Sequence, residues 1–154
     1  MAAPFRYSHR VTYAECTLGN HVYHSRYFDL LEAARGEFIR SLGDTVLAWQ
    51  ERGVIFPVIE ARIRYQFPAR YDDLLAVEVW PTHVGPVRLN FGHRIINQSG
   101  KTILEAETFH ACTGVDEKPR RVPPDLEAQL EAHVKAPHLP VPSGSRSRKA
   151  SATG

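Results

Sequence analysis

The sequence predicts a single α+β domain in which one long amphipathic helix lies on the face of a curved antiparallel sheet. Three observations predict it. Tyr27, Phe28, Leu31, Ala34, Phe38, Ile39 and Leu42 recur at spacings of three and four, which makes one wide apolar helical stripe. From Val54 onward the hydrophobic period changes to two, the period of strands. The strand-like runs are joined by short turns, and a helix laid on one face of such a sheet is the economical way to bury the stripe.

Each element has its own reason. Residues 6–15 read as a strand, with Val11, Thr12 and Tyr13 favouring extended backbone. A polar turn, Thr17-Leu18-Gly19-Asn20-His21, leads to the long helix, which begins near His24. Ser25 is positioned to cap it, Asp29 suits the positive end of its dipole, and Gly43 ends it. Asp44 then caps a shorter helix over residues 45–52, stopped by Gly53. In the next strand Ile59, Ala61, Ile63, Tyr65 and Phe67 share one face, and Glu60, Arg62, Arg64 and Gln66 the other. Tyr71-Asp72-Asp73 is a turn, residues 74–83 form a strand, and Gly85-Pro86 breaks it. Residues 87–97 alternate through Leu89, Phe91, His93 and Ile95; Gln98-Ser99-Gly100 turns the chain into a last strand over residues 102–115. Pro123 and Pro124 introduce a short helix over residues 125–133. The domain therefore spans residues 1–136, and residues 137–154, rich in Pro, Ser and basic residues, read as a disordered tail.

Composition narrows the function classes. An apolar fraction of 43% and a charged fraction of 23% over 154 residues are ordinary for a globular protein with its own core. Arg146, Arg148 and Lys149 sit in the tail, and without them the net charge of +2 becomes −1. That nearly neutral remainder argues against a nucleic-acid footprint, which needs basic residues clustered on a folded face. No stretch approaches the roughly 20 apolar residues of a membrane span, and the first residues do not resemble a signal peptide. Two cysteines, Cys16 and Cys112, make no disulfide framework, so a cytoplasmic setting is expected.

The run Val11-Thr12-Tyr13-Ala14-Glu15-Cys16-Thr17-Leu18-Gly19-Asn20-His21-Val22-Tyr23-His24-Ser25-Arg26-Tyr27-Phe28, continued by Glu32-Ala33-Ala34-Arg35, resembles the signature of the 4-hydroxybenzoyl-CoA thioesterase family. Tyr71-Asp72-Asp73-Leu74, Val84-Gly85, Arg88-Leu89-Asn90-Phe91, Gly100 to Thr108 and Lys118 to Pro123 look similar to its later strands and end. The resemblance spans roughly residues 6 to 132. It implies a hotdog fold, in which the sheet wraps the helix, and a homodimer or homotetramer with active sites at the interface. The implied activity is hydrolysis of acyl thioesters carried by CoA or an acyl carrier protein. No cofactor is implied, because the thiol carrier is part of the substrate. The chain departs from the pattern where the family's usual catalytic Asp falls on Thr17 and its preceding Asp on Glu15. A hydroxyl is not a base near neutral pH. The enediyne-type thioesterases also lack that Asp and look similar here at Glu15, Leu18, Val22, Tyr23 and Arg35. The rival expectation is a hotdog protein that binds acyl thioesters and lost hydrolysis with the Asp.

The chemistry needs an oxyanion site, an activated water and a grip on substrate. Backbone N–H groups of Tyr23, His24 and Ser25 at the helix start answer the first, and the resemblance assigns the donor to the His24 amide. Glu15, His24 and Glu32 are candidates to take the water proton; Glu32 on a partly buried helix edge would be a better base, or would simply pair with Arg35 at i, i+3. Thr17 and Arg35 are expected to position water or substrate, and Arg88, with Arg120 and Arg121, to meet CoA phosphates. His21-x-x-His24 and His110-x-Cys112 do not supply the three or four ligands of a zinc site, and no metal is expected.

Overall fold

The alternation of Leu89, Phe91, His93 and Ile95 belongs to the central strand of the sheet, because all four are buried beneath the long helix. The computed structural model describes residues 3–139. The sheet contains β1 (Phe5–Arg10), β2 (Val58–Tyr65), β3 (Leu74–Val84), β4 (Arg88–Ile96) and β5 (Thr102–Ala111), all antiparallel in the order β1-β3-β4-β5-β2. The helices are α1 (Arg26–Ser41), α2 (Val46–Glu51) and α3 (Pro124–Glu131). Helix α1 lies on one face and buries Tyr27, Leu30, Leu31, Ala34, Phe38 and Ile39 against Val77, Val79, Ile95 and Leu104. This is the α+β arrangement expected, with a curved five-stranded sheet.

On the other face of the sheet the chain after α3 packs over Trp80 and Pro81. The Trp80 indole N–H donates to the Ala136 carbonyl at 3.1 Å, and the His138 ring stands edge-on to it at 4.9 Å. Gly92 makes room for that indole, since a Cβ there would come within 2.6 Å of the Trp80 ring. Ala136, His138 and Leu139, the last 6% exposed, are thus described, and residues 140–154 of the expected tail lie outside the described residues.

Several local expectations are corrected. The strand expected over residues 6–15 ends at Arg10, and Tyr13–Glu15 form a 3-10 turn. The Glu15 carboxylate accepts the Thr12 N–H at 2.7 Å and its hydroxyl at 2.8 Å, a capping box that outweighs the strand preference of Thr12 and Tyr13. Phe28 lies about a quarter turn from the Leu31–Ala34–Phe38 line and is 41% exposed, while Leu30 on the opposite flank is buried. Ser25 heads α1 but makes no side-chain cap. The cap of α2 is Thr45, whose hydroxyl accepts the Ala48 N–H at 3.0 Å, whereas Asp44 pairs with Arg52 at 2.6 Å. Thr45→Ala is expected to cost about 1 kcal/mol, measured as a drop in the urea midpoint with unchanged slope. The last strand stops at Ala111. Strand β2 is an edge whose two faces are both largely open, with Val58, Ile59 and Tyr65 half exposed and a bulge at Ile59.

Candidate active site

The loop before α1 is folded by its own backbone. Cys16 and Val22 form an antiparallel bridge, Thr17 N–H donates to the His21 carbonyl at 2.8 Å, and Gly19 and Asn20 take positive φ to close the turn. The Thr17 hydroxyl is exposed and points to the Leu18 and His21 carbonyls, each 3.2 Å away. The Tyr23 amide donates to the Glu15 carbonyl at 2.9 Å, so it is not one of the open donors. The His24 and Ser25 amides have no acceptor among the described residues, and they stand at the positive end of a 16-residue helix. Tyr65 of β2 holds this corner through its hydroxyl, which donates to the His24 carbonyl at 3.0 Å. The side chains of Tyr23, His24 and Ser25 are exposed around these amides.

Glu15 is occupied elsewhere. Besides Thr12 it accepts the His9 ring N–H at 2.8 and 3.0 Å. Burial alone would raise its carboxyl pKa, but the hydrogen bonds from Thr12 and His9 outweigh it and the pKa is lowered. The dyad with His9 was not read from the sequence, where the two residues shared a face of one expected strand but stood roughly 20 Å apart along it; the turn at Tyr13–Glu15 brings them together.

Glu32 and Arg35 belong to a different place. They line a cleft of about 960 Å³ that runs along α1 from Asp29 to Arg40 and is walled by Val46, Leu47, Phe56, Val58, Leu89, Phe91 and His110. Thr17, Tyr23, His24, Ser25 and Arg88 are not part of its lining. Along the helix axis, Arg26 and Arg35 are roughly 13 Å apart. Glu32 is exposed rather than partly buried, and it makes no ion pair with Arg35. Arg35 is largely withdrawn from water; burial lowers its pKa, opposed by the charge of Glu32. Arg88 is exposed at the start of β4.

Under the cleft lies a polar chain that sequence reading missed. The Phe56 carbonyl can only accept, so the His110 Nδ1 at 3.0 Å carries the proton. Burial, then the charge of Arg35, lowers the pKa of His110 to about 4 against the bond to Phe56, so its Nε2 is a bare acceptor at neutral pH. The Thr108 hydroxyl donates to that nitrogen at 2.9 Å and accepts from His93 Nε2 at 3.3 Å. His93 Nδ1 then remains as a buried acceptor without a partner. Burial, Arg35 and His110 hold the His93 pKa well below the usual value. With both its nitrogens engaged, His110 has none left to share with Cys112. Among the described residues no group of three His, Cys, Asp or Glu converges in a metal-holding arrangement.

Comparison with known proteins accounts for this geometry. A family model described as the thioesterase superfamily matches residues 19–104. An acyl-CoA thioester hydrolase of Escherichia coli, YbgC, is 32% identical over 128 residues, covering 82% of this chain and 96% of the relative. A 1,4-dihydroxy-2-naphthoyl-CoA hydrolase of Thermosynechococcus vestitus is 26% identical, covering 82% of this chain and 88% of its own length. The crystal structure of a hypothetical protein from Thermus thermophilus superposes with a TM-score of 0.78 at 30% identity, covering 83% of this chain and 98% of that one. A helix wrapped by a five-stranded sheet, with open amides at its start and a match over more than half its length, places this chain in the thioesterase superfamily, to which it belongs.

Proposed function

We propose that the protein hydrolyses an acyl thioester, carried by CoA or an acyl carrier protein, to free acid and thiol, working as a homodimer or homotetramer in the cytoplasm. The observation that carries the reading is the pair of open amides, His24 and Ser25, at the positive end of α1. Water adds to the thioester carbonyl, its proton passes to Glu32 or His24, and the oxygen that gains charge takes hydrogen bonds from those amides. Collapse of the adduct breaks the C–S bond, and the thiolate leaves and is protonated. Thr17 and Arg35 position water or substrate, and exposed Tyr23, Ser25 and Arg88 contact the carrier arm.

Two features support an oligomer. The outer edge of β2 is unpaired among the described residues and carries half-exposed Val58, Ile59 and Tyr65, a surface that a second copy would cover. The amides and the Glu32–Arg35 cleft lie roughly 13 Å apart on one helix, and a second copy would set the amides of one chain beside the cleft of the other. Cys16 and Cys112, both free thiols, suit a reducing compartment.

The test is a panel of acyl-CoA and acyl-carrier thioesters with thiol release as readout. Wild type is expected to turn over at least one member. Of Glu32→Gln and His24→Ala, the one that removes the proton acceptor should lower kcat by about 10²–10⁴. Thioester binding without thiol release across the panel would instead establish the rival reading, a binding protein inert for want of the usual Asp at Thr17.

A further inference from the structure

Resting on the hydrolase reading, we propose that the acyl group this protein accepts carries a carboxylate of its own, and that Arg35 in the cleft wall grips it. Arg35 has neither an ion pair nor a hydrogen bond among the described residues. None of the acids near it forms an ion pair with it: Asp29 pairs with Arg26 at 4.0 Å, Glu37 pairs with Arg40 at 3.5 Å, and Glu32, whose charge is felt at Arg35, stands exposed. The buried groups that face Arg35 from the sheet are His93 and His110, both neutral at ordinary pH. Neither supplies an anion.

A guanidinium partly withdrawn from water, with only the exposed carboxylate of Glu32 acting on it and no ion pair formed, gains from a directly bonded anion, and its planar fork matches a carboxylate in two parallel hydrogen bonds. The surrounding walls, Ile39, Phe56, Leu89 and Phe91, are apolar and suit a hydrocarbon spacer between thioester and carboxylate. A plain alkyl chain in the same cleft would cover Arg35 without satisfying it. Leaving a buried polar group unpaired is the strongest form of discrimination a pocket has. The cleft therefore favours an acyl group with an apolar middle and an anionic end.

The test compares glutaryl-CoA with pentanoyl-CoA, which share a five-carbon chain and differ in the end group. Wild type is expected to favour glutaryl-CoA in kcat/KM by about tenfold or more, and Arg35→Met to bring that ratio near unity. Arg35→Lys keeps the charge without the fork and should retain part of the preference. Calorimetry with free glutarate and free pentanoate gives a second readout that needs no turnover. Glutarate alone should bind wild type, and Arg35→Met should lose it. A wild type that prefers pentanoyl-CoA or binds both acids alike overturns the proposal while leaving the hydrolase reading intact. Glutarate binding through Arg35 without turnover of any thioester would do the reverse. Dissociation of Arg35→Met into monomers on a sizing column, with wild type indifferent to glutarate, would assign the cation to a carboxylate of a second copy and also overturn it.

Discussion

Thr17→Asp is expected to raise kcat on an accepted acyl thioester by roughly 10²–10⁴, the range that one positioned base contributes. The substitution puts a carboxylate where the family usually has one, beside a helix start whose His24 and Ser25 amides are open. The site can take it. Thr17 is exposed, and what its hydroxyl loses are two long contacts, at 3.2 Å, to carbonyls in its own turn. The Thr17 N–H bond to the His21 carbonyl, which holds the loop, involves the backbone and survives. Steady-state kinetics on a thioester that wild type already hydrolyses would check this. A folded variant with unchanged or lower kcat would mean that the proton acceptor already present, Glu32 or His24, leaves a carboxylate at position 17 nothing to add.

Acid is expected to destabilise the fold well above the usual carboxylate range. His110 titrates at about 4 when folded and at 6.5 when unfolded. Its folded pKa is the depressed one, so below 6.5 the unfolded chain binds a proton that the folded chain refuses. The stability from keeping this ring neutral is complete above pH 6.5 and is lost as pH falls toward 4. The displacement corresponds to about 3 kcal/mol at most, and His93, shifted in the same direction by its complete burial, adds to it. Glu15 acts lower, since its lowered pKa keeps its contribution through pH 4.5 and loses it only beneath that. Urea midpoints measured at pH 7, 6, 5 and 4 should fall steadily, with the decline starting near pH 6.5. A midpoint flat down to pH 5 would show that the two rings are hydrated or charged in the folded protein.

Much of the fold was legible in advance because its signals are local and repeated. The spacing of Leu31, Ala34 and Phe38 and the alternation through Leu89, Phe91, His93 and Ile95 each sum several residues toward one face, and both faces are buried. Thr12-x-x-Glu15 was equally local, yet the β-favouring residues between and around it obscured the capping box. Exposure of Phe28 and of most of β2 was not legible, since periodicity tells which residues share a face but not whether anything covers it.

By itself the sequence determined the order of the main helices and strands, the place of the helix start near His24, and the family likeness around Thr17 and Arg35; which of its amides stay open was left to the fold, which engages Tyr23. Only the tertiary structure decided the state of the polar groups. Phe56 and His110 lie 54 positions apart, and their contact settles the tautomer of a ring that spacing alone had suggested only as a possible metal ligand. Glu32 and Arg35, three positions apart, stay unpaired because one lies at a rim and the other in a wall. Hydrophobic periodicity is additive along the chain, whereas the charge a group carries and the partner it finds depend on desolvation by residues distant in sequence.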